Sequence, residues 1–122
     1  MELQHLKSND SSVRLALRGM LDLTGVTQIE SSFLAATVAV GKSSVVDLSQ
    51  VPFIASLGLG LLISATKGLK RKGARLILLA PTAEVAKVFA AAGLLDVMTI
   101  AYDEAEVSRI LSTTENCLPA CV

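Results

Sequence analysis

The sequence is poor in the side chains on which most catalytic and metal sites depend. Among its 122 residues there are no tryptophans, one histidine and two cysteines. A serine or cysteine nucleophile needs a base beside it, and a structural zinc ion needs four ligands, so this composition disfavours both kinds of site. Cys117 and Cys121 flank Pro119 near the C-terminus, where we expect an inert, reduced tail over residues 114–122. We therefore expect a protein without enzymatic activity, metal or cofactor.

Net charge is also absent, because 11 basic residues balance 11 acidic ones. This balance removes the usual electrostatic reason to expect binding to nucleic acid or to an anionic membrane. The sequence has no apolar run long enough to span a bilayer, and its start, MELQHLKSNDSS, lacks the long apolar stretch of a secretory signal. These absences predict a cytoplasmic protein that does not insert into a membrane.

Aliphatic residues, in contrast, are abundant. Hydrophobic residues make up 52% of the sequence, whereas aromatic residues make up 3%. The core must therefore be built from leucine, isoleucine, valine and alanine, a composition that suits a sheet covered by helices. A chain of this length normally forms one domain, and we expect that domain to occupy residues 1–113.

Strand and helix patterns alternate along the chain. Alternating apolar residues in LQHLK and VRLALRG predict two strands joined by a turn at residues 9–11. Continuous apolar segments predict three more strands, in SSVVDL, ARLILLA and DVMTIA. A capping box formed by Thr27 and Glu30 predicts the start of the first helix, which we expect to end at Gly41.

Three further helices have their own boundary signals. The second begins near Ser56, the third begins at Pro81-Thr82, and the last is capped by Asp103. Glycines end the second and third helices, at positions 73 and 93. The whole order predicts an α/β fold, in which a mixed sheet of about five strands is covered by about four helices.

The most unusual segment is VPFIASLGLGLLISATKGLKRKG, which follows the third predicted strand. It has two glycines at the start of a helix but lacks the Lys-Ser/Thr pair of a phosphate-binding loop. Ser56 lacks both a nearby base and the flanking glycines of a nucleophile elbow, so we interpret it as the N-cap. Gly58 and Gly60 each cost a helix roughly 0.5–1 kcal/mol relative to alanine. We therefore expect a close approach at these glycines, for which the surface of a partner is one explanation.

Helical geometry divides this segment into two stripes. We expect one stripe to face the core; it consists of Leu59, Leu62, Ile63, Thr66 and Leu69. The nearly opposite stripe is apolar or small throughout, and consists of Leu57, Leu61, Ser64, Ala65 and Gly68. Two leucines flanked by small residues suit a docking surface, so we interpret the second stripe as exposed. The basic residues at the end of the helix are interpreted as partners of its macrodipole and as solvated charge.

Several segments together resemble the STAS domain, the fold of anti-sigma-factor antagonists. The strand followed by Pro-Phe-Ile-x-Ser-x-Gly-Leu-Gly and an apolar helix resembles the family's signature segment. LRGMLDLTG resembles its second strand and turn, GARLILLAP the strand after the signature helix, and VFAAAGLLDVMTI the third helix and last strand. The resemblance covers nearly the whole chain.

The resemblance implies a small cytoplasmic binding module with no catalysis of its own. Such a module docks its signature loop and helix, residues 53–68 here, onto an anti-sigma factor that is also a serine kinase. Phosphorylation of the residue before the loop glycine breaks the complex. Relatives also serve in lipid-transport machines and as cytoplasmic tails of sulfate transporters. The alternative function is therefore an accessory subunit bound to the ATPase or permease of a lipid or anion transporter.

The loop departs from the family pattern at two positions. The usual sequence is Asp-Ser-Ser/Thr-Gly, whereas this chain has Ala55-Ser56-Leu57-Gly58. Leu57 has no oxygen to accept a phosphate, so the resemblance implies that binding is retained while the phosphorylation switch is lost. Ser56 aligns with the other serine of the motif and is a weak phosphorylation candidate.

We therefore predict a regulatory protein-binding module whose partner is an anti-sigma factor/serine kinase. The predicted contact residues are Phe53, Ala55, Ser56, Leu57, Gly58, Gly60, Leu61, Ser64, Ala65 and Gly68. A weak homodimer is a further expectation, whereas nucleic acid is not an expected partner.

Overall fold

The computed structural model describes residues 2–8, 12–94 and 98–111. Within these ranges the chain forms five strands and four helices, named here in chain order. They are β1 (Glu2–Ser8), β2 (Ser12–Arg18), α1 (Leu23–Ala36), β3 (Ser43–Gln50), α2 (Ser56–Arg71), β4 (Leu76–Leu79), α3 (Ala83–Ala91), β5 (Thr99–Ala101) and α4 (104–111). The predicted turn at 9–11, the start of the DVMTIA strand and the predicted tail with its two cysteines lie outside the described residues.

The five strands form one sheet in the order β1-β2-β3-β4-β5. β1 pairs antiparallel with β2, and the pairs from β2 to β5 are parallel. Each parallel connection contains a helix, as crossovers of this kind require. The predicted α/β fold with a mixed five-stranded sheet is confirmed.

The sheet separates two apolar clusters, because successive residues of a strand point to opposite faces. Val46 and Leu78 lie in the main core, which also contains the inward residues of α1, α2 and α3. Their neighbours Val45 and Ile77 lie in a smaller cluster with Val107 of α4. The main core therefore lies on the face of the sheet that carries α2.

The first helix begins five residues earlier than predicted, with its N-cap at Asp22 instead of Thr27. The Asp22 carboxylate accepts a hydrogen bond from Gly25 N at 2.9 Å. The Thr27 hydroxyl instead donates to the carbonyl oxygen of Leu23, inside the helix, so the predicted capping box is wrong. The regular helix also ends earlier, at Ala36, and turns lead on to Gly41, whose φ is +76°.

Because β2 to β5 are parallel, their carboxyl ends lie together at one end of the sheet and their amino ends at the other. We call the end of the sheet where these strands finish the carboxyl edge, and the end where they begin the amino edge. α2 runs from the end of β3 back to the start of β4, so its first turn lies at the carboxyl edge and its last turn at the amino edge. None of the described helices is long and apolar enough to cross a bilayer.

Candidate docking site

Two loops meet at the carboxyl edge, one after β2 and one after β3. Leu21 N donates to the carbonyl oxygen of Phe53, and Ala55 N donates to that of Leu21, each over 3.0 Å. Leu21 and Ile54 form a parallel bridge, and both side chains are buried. Because side chains alternate along an extended chain, the residues next to this bridge point outward. The pairing thus presents a defined surface at the carboxyl edge.

Four large apolar side chains are exposed on and beside these loops. Met20 and Phe53 flank the buried bridge, whereas Leu23 opens α1 and Leu57 lies in the first turn of α2. Their exposed fractions lie between 45% and 65%. A single exposed leucine would carry no information, but large apolar residues gathered on paired loops are typical of an interaction surface. We call these four residues the carboxyl-edge patch.

The first turn of α2 also lacks a side-chain cap. α1 and α3 begin with side-chain caps, from Asp22 and Thr82. The N-cap of α2 is Ala55, whose side chain makes no capping hydrogen bond. The predicted N-cap, Ser56, is instead the first helical residue, so that prediction is wrong by one position. The first amide groups of a helix point outward with a partial positive charge, so α2 offers donors to an approaching acceptor.

The prediction of an outward stripe along α2 is wrong for most of its members. Leu61 is 4% exposed and Ala65 is fully buried, and both belong to the main core. Of the predicted core face, Leu62 and Leu69 are fully buried as expected. α2 is therefore buried on two sides, because α1 packs against it next to the sheet.

The glycines of α2 explain this double burial. A Cβ atom built on Gly58 would lie 2.5 Å from the carbonyl oxygen of Leu21, and one built on Gly68 would lie 2.8 Å from Val38. Both glycines thus allow close contact within the fold rather than with a partner. Gly60 differs, because a Cβ atom there would have no neighbour within 4 Å.

The structure therefore splits the predicted contact residues into two groups. Those whose side chain or backbone is accessible are Phe53, Ser56, Leu57, Gly60 and Ser64, with Ala55 half-buried. Those that are buried within the fold are Gly58, Leu61, Ala65 and Gly68. Only the first group can contribute atoms to a docking surface.

Sequence reasoning missed Met20 and Leu23. Both precede the capping box at Thr27, where we expected α1 to start, and both were assigned only to the segment that resembles the family's second strand and turn. The available signal was the spacing of Asp22 and Gly25, which matches an N-cap followed by the amide that it binds. The proximity of Met20 and Leu23 to Phe53 depends on pairing between two loops that are distant in sequence, which local periodicity does not reveal.

Comparison with known proteins shows which family has this sequence pattern and fold. The sequence profile of the STAS domain matches residues 4–107. A sequence comparison with curated proteins gives no significant match. Among solved structures, the chain is similar to the anti-sigma-factor antagonist SpoIIAA in its unphosphorylated form, with 29% identity and a TM-score of 0.72; the match covers 89% of this chain and 96% of that one.

Two less similar structures share the fold. A candidate anti-sigma-factor antagonist from Thermotoga maritima is 20% identical with a TM-score of 0.81, over 90% of this chain and 94% of that one. The murine anion transporter Slc26a9 is 13% identical with a TM-score of 0.74, over 88% of this chain and 18% of the transporter. The same fold therefore occurs both as a small protein and as part of a large transporter.

Proposed function

The chain belongs to the STAS domain family, and we propose that it is a non-catalytic regulatory module that binds an anti-sigma factor with serine kinase activity. The sequence likeness to SpoIIAA supports this choice of partner. We place the module in the cytoplasm, where such a partner acts.

The observation that carries the proposal is the carboxyl-edge patch. Of its two members in the signature segment, Phe53 is exposed on a loop whose backbone is already paired with the neighbouring loop, and Leu57 is exposed in the first turn of α2 that follows. Burying one such side chain completely contributes roughly 1.5–3 kcal/mol. A preformed loop also reduces the entropy lost on binding. The patch therefore suits a protein partner with an apolar contact surface.

Two further features of α2 support docking at its first turn. Gly60 lowers the stability of the helix, although a Cβ atom at this position would meet no other part of the fold within 4 Å. A glycine on an exposed face lets another backbone approach closely. The uncapped amide groups before it can donate to a carboxylate or carbonyl oxygen of the partner. We propose a contact surface of the carboxyl-edge patch together with Ser56, Gly60 and Ser64.

We further propose that binding at this surface lacks the family's phosphorylation switch. Leu57 occupies the position at which the family pattern has a hydroxyl group. A phosphate brings nearly two negative charges, which an apolar interface cannot accommodate without a large desolvation cost. A leucine there adds apolar area instead, so this chain remains able to bind in the presence of kinase and ATP.

The partner can be identified by capture from the native cell with the whole protein as bait. We expect an anti-sigma factor of the serine kinase type to be retained, and expect Phe53→Asp bait to lose it. Retention of a transporter ATPase or permease instead would replace the proposed partner by the alternative one. Equal retention by Phe53→Asp bait would show that the carboxyl-edge patch is not the docking surface.

The lost switch can be tested with the captured kinase and ATP. Intact-mass measurements should show no phosphate on the wild-type chain, whereas Leu57→Ser, which restores the hydroxyl, should acquire one phosphate. Stoichiometric phosphate on Ser56 of the wild-type chain would show that the switch has moved by one residue. That result would overturn the proposed loss of regulation but not the docking surface.

A further inference from the structure

The balanced total charge hides a strong segregation of charge along the chain. Between Asp47 and Glu84 the sequence contains no acidic residue, whereas residues 67–75 contain five basic ones. These five are Lys67, Lys70, Arg71, Lys72 and Arg75. They extend from the last turns of α2 to the residue before β4, so they lie at the amino edge, opposite the carboxyl-edge patch.

The interactions of this basic group within the fold are few. The Lys72 ammonium donates to the carbonyl oxygen of Val38 over 2.6 Å. The helix macrodipole favours cations in the last turn of α2, which accounts for Lys70 and Arg71 in part but not for Arg75, which lies beyond the helix. Among described residues, the ion pairs are at Arg14–Glu104 and Lys87–Glu84, so none involves Lys70 or Arg75.

Lys70 and Arg75 both line a cavity of about 230 Å³. Its lining consists of Thr66, Lys70, Ala74, Arg75, Leu76 and Thr99. Leu76 is buried and forms an apolar base, while the Thr66 hydroxyl donates to the carbonyl oxygen of Leu62 and so presents only acceptor capacity. Among the lining residues, the side chains that can donate to a ligand are therefore those of Lys70, Arg75 and Thr99.

We propose that this cavity binds the phosphate group of a small phosphorylated molecule. A guanidinium can hold two phosphate oxygens at once, and an ammonium supplies a second positive charge. Two cations match a dianionic group better than a single carboxylate. Pockets that enclose drug-sized ligands have volumes of about 300–1,000 Å³, so this one suits a phosphate with a short organic stem rather than a nucleotide. The site is independent of the proposed function, because it lies at the opposite edge of the sheet.

The direct test is titration of the isotope-labelled whole protein with inorganic phosphate, followed by amide NMR at constant ionic strength kept with sodium chloride. We expect saturable shifts confined to residues that line the cavity. Lys70→Gln and Arg75→Gln should each weaken binding roughly tenfold, since each removes a charged hydrogen-bond donor. Both positions are exposed, and thermal melts of the variants will confirm that the fold is intact.

Lys67→Gln is the matched control, because it removes the same charge from the same helix without lining the cavity. It should change the affinity for phosphate by less than about twofold at fixed salt. An equal loss in Lys67→Gln and Lys70→Gln would mean a diffuse positive field instead of a site and would overturn the proposal. So would shifts that do not saturate in the millimolar range.

The source of the phosphate group is distinguished by two additional probes. Glycerol 3-phosphate presents the group free in solution, and vesicles of phosphatidylcholine with phosphatidic acid present it as a lipid headgroup. Tighter binding of glycerol 3-phosphate than of inorganic phosphate, without vesicle flotation, supports a soluble ligand. Flotation that is lost in Lys70→Gln and kept in Lys67→Gln supports a headgroup. Flotation that is the same in both variants argues against the cavity.

Discussion

Leu57 and Leu61 lie one turn apart on α2, yet the first is 52% exposed and the second is 4% exposed. Leu61 belongs to the main core, between α2 and its neighbours, whereas Leu57 lies in the uncapped first turn at the carboxyl edge. Of the small residues that follow Leu61 on its stripe, Ala65 is fully buried and Gly68 lies against Val38, just after α1, so most of the stripe is not a free surface. The comparison teaches that two neighbouring turns of one helix can differ in role: the second holds the fold together, whereas the first leaves its leucine accessible for the docking that we propose.

The sharpest test of this difference is the same substitution at both leucines. Leu61→Glu should lower the free energy of unfolding by at least about 3 kcal/mol, because it removes buried apolar contacts and leaves a charge without a partner. Leu57→Glu should change it by less than about 0.5 kcal/mol, because the carboxylate stays in water near the positive end of the helix. Urea unfolding of both variants measures the two values.

Similar losses in the two variants would break the comparison. A large loss in Leu57→Glu would place that leucine in the core of the protein in solution. A small loss in Leu61→Glu would mean that α1 does not cover α2 and that the outward stripe exists after all.

Alanine substitutions at the glycines of α2 also separate positions packed within the fold from exposed ones, with smaller expected changes in stability. Gly58→Ala should destabilise the protein by about 1–3 kcal/mol, because the new Cβ atom meets a carbonyl oxygen that cannot move without the backbone. Gly68→Ala should cost less, since the obstructing group is the Val38 side chain. Gly60→Ala should instead stabilise the helix by roughly 0.5–1 kcal/mol.

Thermal and urea unfolding of the three alanine variants measure the order of their stabilities. A loss of stability in Gly60→Ala would show that this position is covered within the fold, and the proposed close approach of a partner there would lose its support. If Gly58→Ala were neutral, the pairing of the two carboxyl-edge loops would be looser than described.

The sequence predicted the architecture well because long periodic segments report which side of an element is buried. It placed the start of α1 wrongly because Asp22 and Thr27 are both good capping residues, and only the three-dimensional contacts show which one binds the first amide groups. The prediction of an outward stripe along α2 was wrong for a related reason. Small residues three or four positions apart permit close packing, and the pattern is the same whether the neighbour is α1 or another protein.

A substitution at the N-cap of α2 should have a smaller effect, and one that increases stability. Ala55→Asp should raise the free energy of unfolding by about 1 kcal/mol, because the carboxylate can accept hydrogen bonds from amide groups of the first turn, which has no side-chain cap. The backbone of Ala55 is already extended, as an N-cap requires. Ala55→Asn should give a similar gain without the charge. No gain in either variant would mean that the first turn of α2 is already satisfied in another way.

The central claim is that the partner docks at the carboxyl-edge patch. Its most direct test is the affinity of the captured partner for Leu57→Asp, measured by calorimetry beside the matched control Leu6→Asp. Leu6 lies on β1 and is 50% exposed, almost as much as Leu57. We expect Leu57→Asp to weaken binding at least roughly thirtyfold, as at a buried hot spot, and Leu6→Asp to change it by less than about threefold. Equal affinities of the two variants would contradict the account.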